Sequence, residues 1–299
     1  MPPPVQAALA SWSPPIALTL ATILFALIYL RGWWRLHVVS PNVIPAWRAG
    51  SFLVGLFLIW LALGSPLAAF DEQLLTVHMV QHLLLMTLAP PLIWIGAPVM
   101  PVLHGLPKSF VQSVVSPLFR WPPLQRVGRV LAQPVVCWTA AAAALVCWHI
   151  PAAFTLALRS EPWHVVEHTC FLMAGFLFWW PVVQPWPSTA KMPQWSILLY
   201  LFMATLPCDI LSGFLMFSDR VAYRIYLSAP RSFAIPVLAD QECAAALMWT
   251  CVTIVYLIPA VILTNGLLSQ SSSGAHEHSQ AEKRVIAVPQ TDPRSAGVL

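Results

Sequence analysis

The sequence predicts an all-α, polytopic membrane helix bundle of about seven transmembrane helices, with the N-terminus outside and the C-terminus inside. Three observations carry this reading. The 299-residue chain is 59% hydrophobic and only 9% charged, against about 25% charged in soluble domains. Its apolar residues fall into segments near the roughly 20 residues needed to cross a bilayer. Its basic residues concentrate in alternate loops, which orients the bundle.

The segments are 16–30, 49–68, 74–99, 131–150, 165–183, 195–217 and 239–263. The first begins after Pro14 and Pro15 and lacks the basic leader of a secretory signal. The third contains Pro90 and Pro91, where a missing donor and a crowded turn predict a kink or break. The sixth carries Asp209 among apolar residues, and an ionisable group inside a span is a functional candidate. With the N-terminus outside, the inner loops and tail hold Arg31, Arg35, Arg48, Lys108, Arg120, Arg126, Arg129, Lys191, Lys283, Arg284 and Arg294. The outer loops hold only Arg159, Arg220, Arg224 and Arg231. Residues 1–268 form the bundle on this reading. Residues 269–299, rich in Ser, Gln, Pro and charge, read as a disordered cytoplasmic tail.

Composition also excludes some classes. A net charge of +4 with no basic stripe argues against nucleic acid. The six cysteines form no CxxC pair. Most lie in apolar runs, where a thiol commonly acts as a small hydrophobe.

The chemistry concentrates in histidines. His78/His82 and His164/His168 are each spaced i,i+4, so each pair shares one helix face and can chelate one ion. The predicted orientation puts both pairs, and His149, in the outer half of the membrane. Asp71, Glu72, Glu161, Asp219 and Asp240 fall at the same end. His37, His104, His276 and His278 read as surface residues.

Around the first pair, Gln81 lies at i+3 from His78 and can orient an imidazole. Buried histidines can also act as interhelical glue. His164-Val165-Val166-Glu167-His168 matches the H-x-x-E-H pattern of inverted zinc peptidases. That pattern needs a third ligand and an open cleft to hydrolyse anything. Glu167 otherwise fixes a tautomer or adds a ligand. Trp148-His149-Ile150-Pro151 ends the fourth span, where His149 can complete a site. Soft ligands are also on hand: Cys147, Cys170, Cys208 and Cys243, with Met79, Met203, Met216 and Met248. Thiolate and thioether select Cu(I), though both also fill helix interfaces.

Several of these stretches, in order, resemble the multi-spanning cytochrome c oxidase assembly factor family called CtaG. They are His78-Met79-Val80-Gln81-His82-Leu83-Leu84-Leu85 with Ala89-Pro90-Pro91 and Gly96-Ala97-Pro98; Trp148-His149-Ile150-Pro151; Val165-Val166-Glu167-His168 with Phe178-Trp179-Trp180-Pro181; Leu211-Ser212-Gly213-Phe214-Leu215 with Phe217-Ser218; and Ala239-Asp240-Gln241 leading to Met248-Trp249. The separate, singly anchored copper chaperone of the same name is not similar.

The resemblance implies a non-enzymatic role in maturing haem-copper terminal oxidases in a bacterial cytoplasmic membrane, with copper handled at the outer face. The motif positions it carries over are His78, His82, His149, His164, His168 and Asp240. Asp71, Gln81, Glu167, Cys208, Asp209, Cys243, Met79 and Met248 are candidate further ligands or supports. The implied partners are subunits of the oxidase, a copper chaperone and membrane lipids. Three other readings stand beside it. Two histidines from different helices can ligate one haem b. A cation transporter would need polar groups through both leaflets. The H-x-x-E-H pair suits a metallohydrolase.

Overall fold

The computed structural model describes residues 6, 12–13, 15–39, 45–185, 192–230 and 234–286, by backbone alone from residue 270. The described residues form helices and connecting turns, with no strand among them. The helices are α1 (Ile16–Val39), α2 (Ala46–Gly64), α3 (Leu75–Ile95), α4 (Val99–Gly105), α5 (108–120), α6 (Pro122–Leu131), α7 (Pro134–Trp148), α8 (Pro151–Arg159), α9 (Glu161–Val183), α10 (Gln194–Met216) and α11 (Val237–Ile286).

Six helices are long and apolar enough to cross a membrane: α1, α2, α3, α9, α10 and α11. A seventh span exists only if α6 and α7, bent by 70° at their junction, are taken together. The expected span 131–150 is represented by α7, which is shorter at both ends. Helix α7 has 15 residues, about 22 Å at 1.5 Å per residue, against a hydrocarbon core of about 30 Å. Helix α1 also runs past its expected end at residue 30, to Val39. Its extension is anchored where Arg35 Nη1 donates to the His104 carbonyl at 2.8 Å.

The chain divides into two units, 1–256 and 257–299. The first holds every candidate site residue. Within it α1 packs on α2 and α4, α2 on α3, α3 on α9, and α9 on α7 and α8. Its core includes Tyr29, stacked on Phe52 at 3.8 Å, with the phenol donating to the Gly96 carbonyl at 2.8 Å. Ile23 and Leu27 on α1, and Ile210 and Phe214 on α10, are exposed, as lipid-facing side chains should be. The second unit begins within α11 and is helical to Ile286. The tail expected from residue 269 falls partly on this helical stretch. Its remainder, 287–299, lies outside the described residues.

Helix α3 does not break at its prolines. Its turn over Leu83–Leu88 widens to i→i+5 hydrogen bonding, and the helix resumes through Ala89–Ile95. Pro90 has no N–H for the Met86 carbonyl. That oxygen accepts instead from the Trp179 indole of α9 at 3.2 Å. Gly175 lets α9 come this close, since a Cβ there would lie 2.6 Å from the same oxygen. The wide turn thus fastens α3 to α9, the two helices that carry the histidine pairs.

Candidate metal centre

His78 and His82 sit one turn apart on α3, their ring centroids 4.3 Å apart. His164 and His168 repeat this on α9 at 4.3 Å. The two pairs face each other: His78 stacks on His164 at 5.5 Å, and His82 meets His168 at 5.7 Å. Glu167, on α9, projects between them with no exposed surface. Its Oε1 lies 3.6 Å from His78 Nε2 and 3.7 Å from His82 Nε2. Its Oε2 lies 4.0 Å from His164 Nε2. Asp71 enters from the loop after α2, with Oδ2 3.8 Å from His164 Nε2. Two overlapping ligand groups result, Asp71/His78/His164 and His78/His82/Glu167, each with its ligand atoms within 4.8 Å of one another.

These groups lack the hydrogen bonds that burial normally demands. Both ring nitrogens of His78 and His82, Nε2 of His164 and of His168, and both oxygens of Glu167 are buried without a hydrogen-bond partner. Each orphaned atom costs desolvation energy. Imidazole nitrogens and carboxylate oxygens are ligands that Cu(II), Zn, Fe and Ni accept. Ligand atoms 3.6–4.0 Å apart are near the spacing of two ligands about 2.1 Å from one ion. The donor set fits a metal ion.

Residues 27–270 match the family model of the cytochrome c oxidase caa3 assembly factor, CtaG. The chain belongs to this family. Uncharacterized proteins of Mycobacterium bovis and Mycobacterium tuberculosis are each 24% identical over 273 residues, 90% of this chain and 40% of theirs. One of Mycobacterium leprae is 21% identical over 287 residues, 95% of this chain and 43% of its own. The chain thus spans about 40% of the length of the curated relatives it matches. No solved structure matches it.

Within this CtaG chain, the aromatic wall of the centre comes from residues that no motif marked. Phe171 stacks on His82 at 4.0 Å, and Phe154 presents its edge to His78 at 4.9 Å. Tyr223 stacks on Phe154 at 4.0 Å and donates to the His149 carbonyl at 3.0 Å. Tyr226 donates to the Asp71 carbonyl at 2.9 Å. The chain has only five tyrosines, and two lie i,i+3 in the loop after α10; that clustering was the available signal. Burial pushes the Asp71 carboxyl up to about 7, with the Gln81 side chain pulling part of the way back.

The other expected residues divide by position. His149 closes α7 and turns its Nε2 to Met79 Sδ at 3.4 Å. Gln81 is buried but donates to the Ala62 carbonyl of α2 at 2.9 Å. Asp240 accepts from the Leu75 and Thr76 N–H groups at 2.6 and 3.1 Å, and from the Thr76 hydroxyl at 2.6 Å. It caps the N-terminus of α3 and so aims the first histidine pair. Its neighbour Gln241 ties the Leu215 carbonyl to the Ala222 N–H, again as a brace. Cys208 is buried beside Ser212 on α10. Met248 is buried on α11. Asp209 is half-buried and Cys243 is exposed. None of the cysteines, nor Asp209 or Asp240, joins a ligand group among the described residues.

Proposed function

We propose that this CtaG chain binds copper in the imidazole–carboxylate cluster and supports its delivery to a haem-copper terminal oxidase during maturation. The observation that carries the reading is the set of buried, partnerless nitrogens and oxygens on His78, His82, His164, His168 and Glu167. A bundle keeps such a set only where something satisfies it. Copper is cargo on this reading, not a resident catalytic group. The reading takes the cluster to lie toward the outer face of a bacterial cytoplasmic membrane, supported by the excess of Lys and Arg in the loops read as inner. Partners are then oxidase subunits, with a copper chaperone as donor.

The geometry favours an ion over haem. Rings within each pair touch at 4.3 Å and Glu167 occupies the space between pairs, which leaves no slot for a macrocycle. It also favours a ligand role for Glu167 over that of a hydrolytic base, since the carboxylate is enclosed by imidazoles. The clustering of these groups at one level supports a holding site over a path through both leaflets.

The test is metal analysis and an optical spectrum on detergent-purified protein, wild type beside His78→Ala/His168→Ala. Copper in the wild type that is reduced in the variant, with oxidase maturation lost in parallel, is the expected result. A Soret band, or zinc retained with no copper after copper loading, would overturn the copper assignment. Equal copper in both proteins would overturn the site.

A further inference from the structure

Beside the cluster lies a cavity of about 50 Å³ whose lining includes His82, His149, Met79, Met86, Cys208 and Met248. A water needs about 10–15 Å³ by this kind of measure, so an ion with a partial solvent shell fits. Two imidazoles and four sulfur-bearing side chains face it from an otherwise mostly apolar lining.

The contact between His149 and Met79 has an unusual polarity. His149 Nδ1 lies 2.7 Å from the Leu145 carbonyl oxygen. A carbonyl only accepts, so Nδ1 carries the proton. A neutral imidazole carries one proton, so with Nδ1 as the donor the other ring nitrogen is an acceptor. Nε2 is then a bare lone pair, and it faces Met79 Sδ at 3.4 Å. A thioether has no proton to give. Two buried acceptors therefore point at each other. A soft cation between them would give both a partner. With bonds of about 2.0 Å to nitrogen and 2.3 Å to sulfur, this spacing corresponds to an angle of roughly 100–110° at the ion, without moving either side chain.

We propose that His149 Nε2 and Met79 Sδ form a second metal station, selective for a soft monovalent cation such as Cu(I), separate from the imidazole–carboxylate cluster. Cys208 and Met248 line the same cavity and carry the sulfur ligand types that Cu(I) prefers. His82 lines the same cavity and also reaches Glu167 in the cluster. It is the shared wall across which an ion would pass from sulfur to nitrogen and oxygen ligands. The inference deepens the copper reading, but it stands on its own two atoms.

The experiment loads the detergent-purified full chain with Cu(I) under anaerobic reducing conditions and records X-ray absorption and affinity. Sulfur should appear in the first shell of the wild type. It should persist in His78→Ala/His168→Ala, where the cluster is crippled. Met79→Leu, which conserves volume, should remove that sulfur and weaken Cu(I) about tenfold or more, about 1.4 kcal/mol, while Cu(II) uptake by the cluster changes less than about twofold. Met79→Cys, which restores a sulfur, should recover Cu(I) binding. A nitrogen- and oxygen-only shell in the wild type would overturn the inference and leave the cluster reading intact. So would sulfur scattering unchanged in Met79→Leu. Sulfur-bound Cu(I) that depends on Met79, in a wild type whose cluster takes up no metal, would uphold the station and overturn the proposed function instead.

Discussion

Glu167 shows how a single residue can organise a site. One oxygen looks at His78 and His82 and the other at His164, so one carboxyl group serves three imidazoles. Glu167→Gln keeps the shape and removes the charge. Copper bound at fixed supply should fall with an affinity loss of about tenfold or more, while the melting temperature of the metal-free protein holds or rises, because a buried acid has been removed. Metal titration and a thermal melt check both halves. Asp240 should behave in the opposite way. Asp240→Ala strands two N–H groups and a hydroxyl at the start of α3, at a cost of about 1–3 kcal/mol. A lower melting temperature with undiminished copper stoichiometry is expected. The four paired histidines were legible in the sequence because i,i+4 spacing is a local signal. The capping role of Asp240 was not, because its partners lie 165 and 164 residues away. The same distance in sequence hid Tyr223 and Tyr226, whose contacts with the centre exist only after the bundle closes.

At the scale of helices, the centre depends on how closely α3 and α9 approach. Gly175→Ala would drive a methyl against the Met86 carbonyl and Cα. Overpacking of this kind costs about 1–3 kcal/mol. It should separate the helices and lower copper affinity, although residue 175 touches no ligand. A parallel drop in thermal stability and in copper affinity would confirm the coupling, and full copper affinity with reduced stability would refute it. Most spans were legible from length and hydropathy. The fourth was not, and the reason is local. Gln133 precedes a proline, which pushes it into extended backbone, at φ −69° and ψ 129°. The apolar stretch 131–150 passes through that bend, so composition marks a longer span than the helix Pro134–Trp148 that forms. The wide turn in α3 was hidden for a related reason: Pro90 and Pro91 announce a disturbance, but the indole that repairs it comes from another helix.

For the molecule as a whole, the charge distribution makes a prediction about orientation. If the N-terminus lies outside, a reporter fused in the Lys108–Arg120 region stays on the cytoplasmic side and one in the 218–230 loop is translocated. Paired enzyme-reporter fusions at those two sites check this, and a reversed pattern would move the cluster to the inner face. The lipid-facing surface, the number of strong spans and the depth shared by the histidines all follow from hydropathy and charge. The convergence of the pairs across a buried glutamate does not, since no rule of composition says which faces of two helices meet. The widened turn at Leu83–Leu88 bears on that choice of faces. One residue more than a regular turn shifts everything beyond it by about 100° of helical phase. Removing a single amino acid from this stretch would leave a hydropathy profile almost unchanged and a span still long enough to cross. It would nonetheless swing the His78/His82 face about a quarter-turn relative to the half of α3 gripped by α2 and α9. In this fold the proposed copper site is phased, and a one-residue deletion there should be as damaging as deleting both histidines.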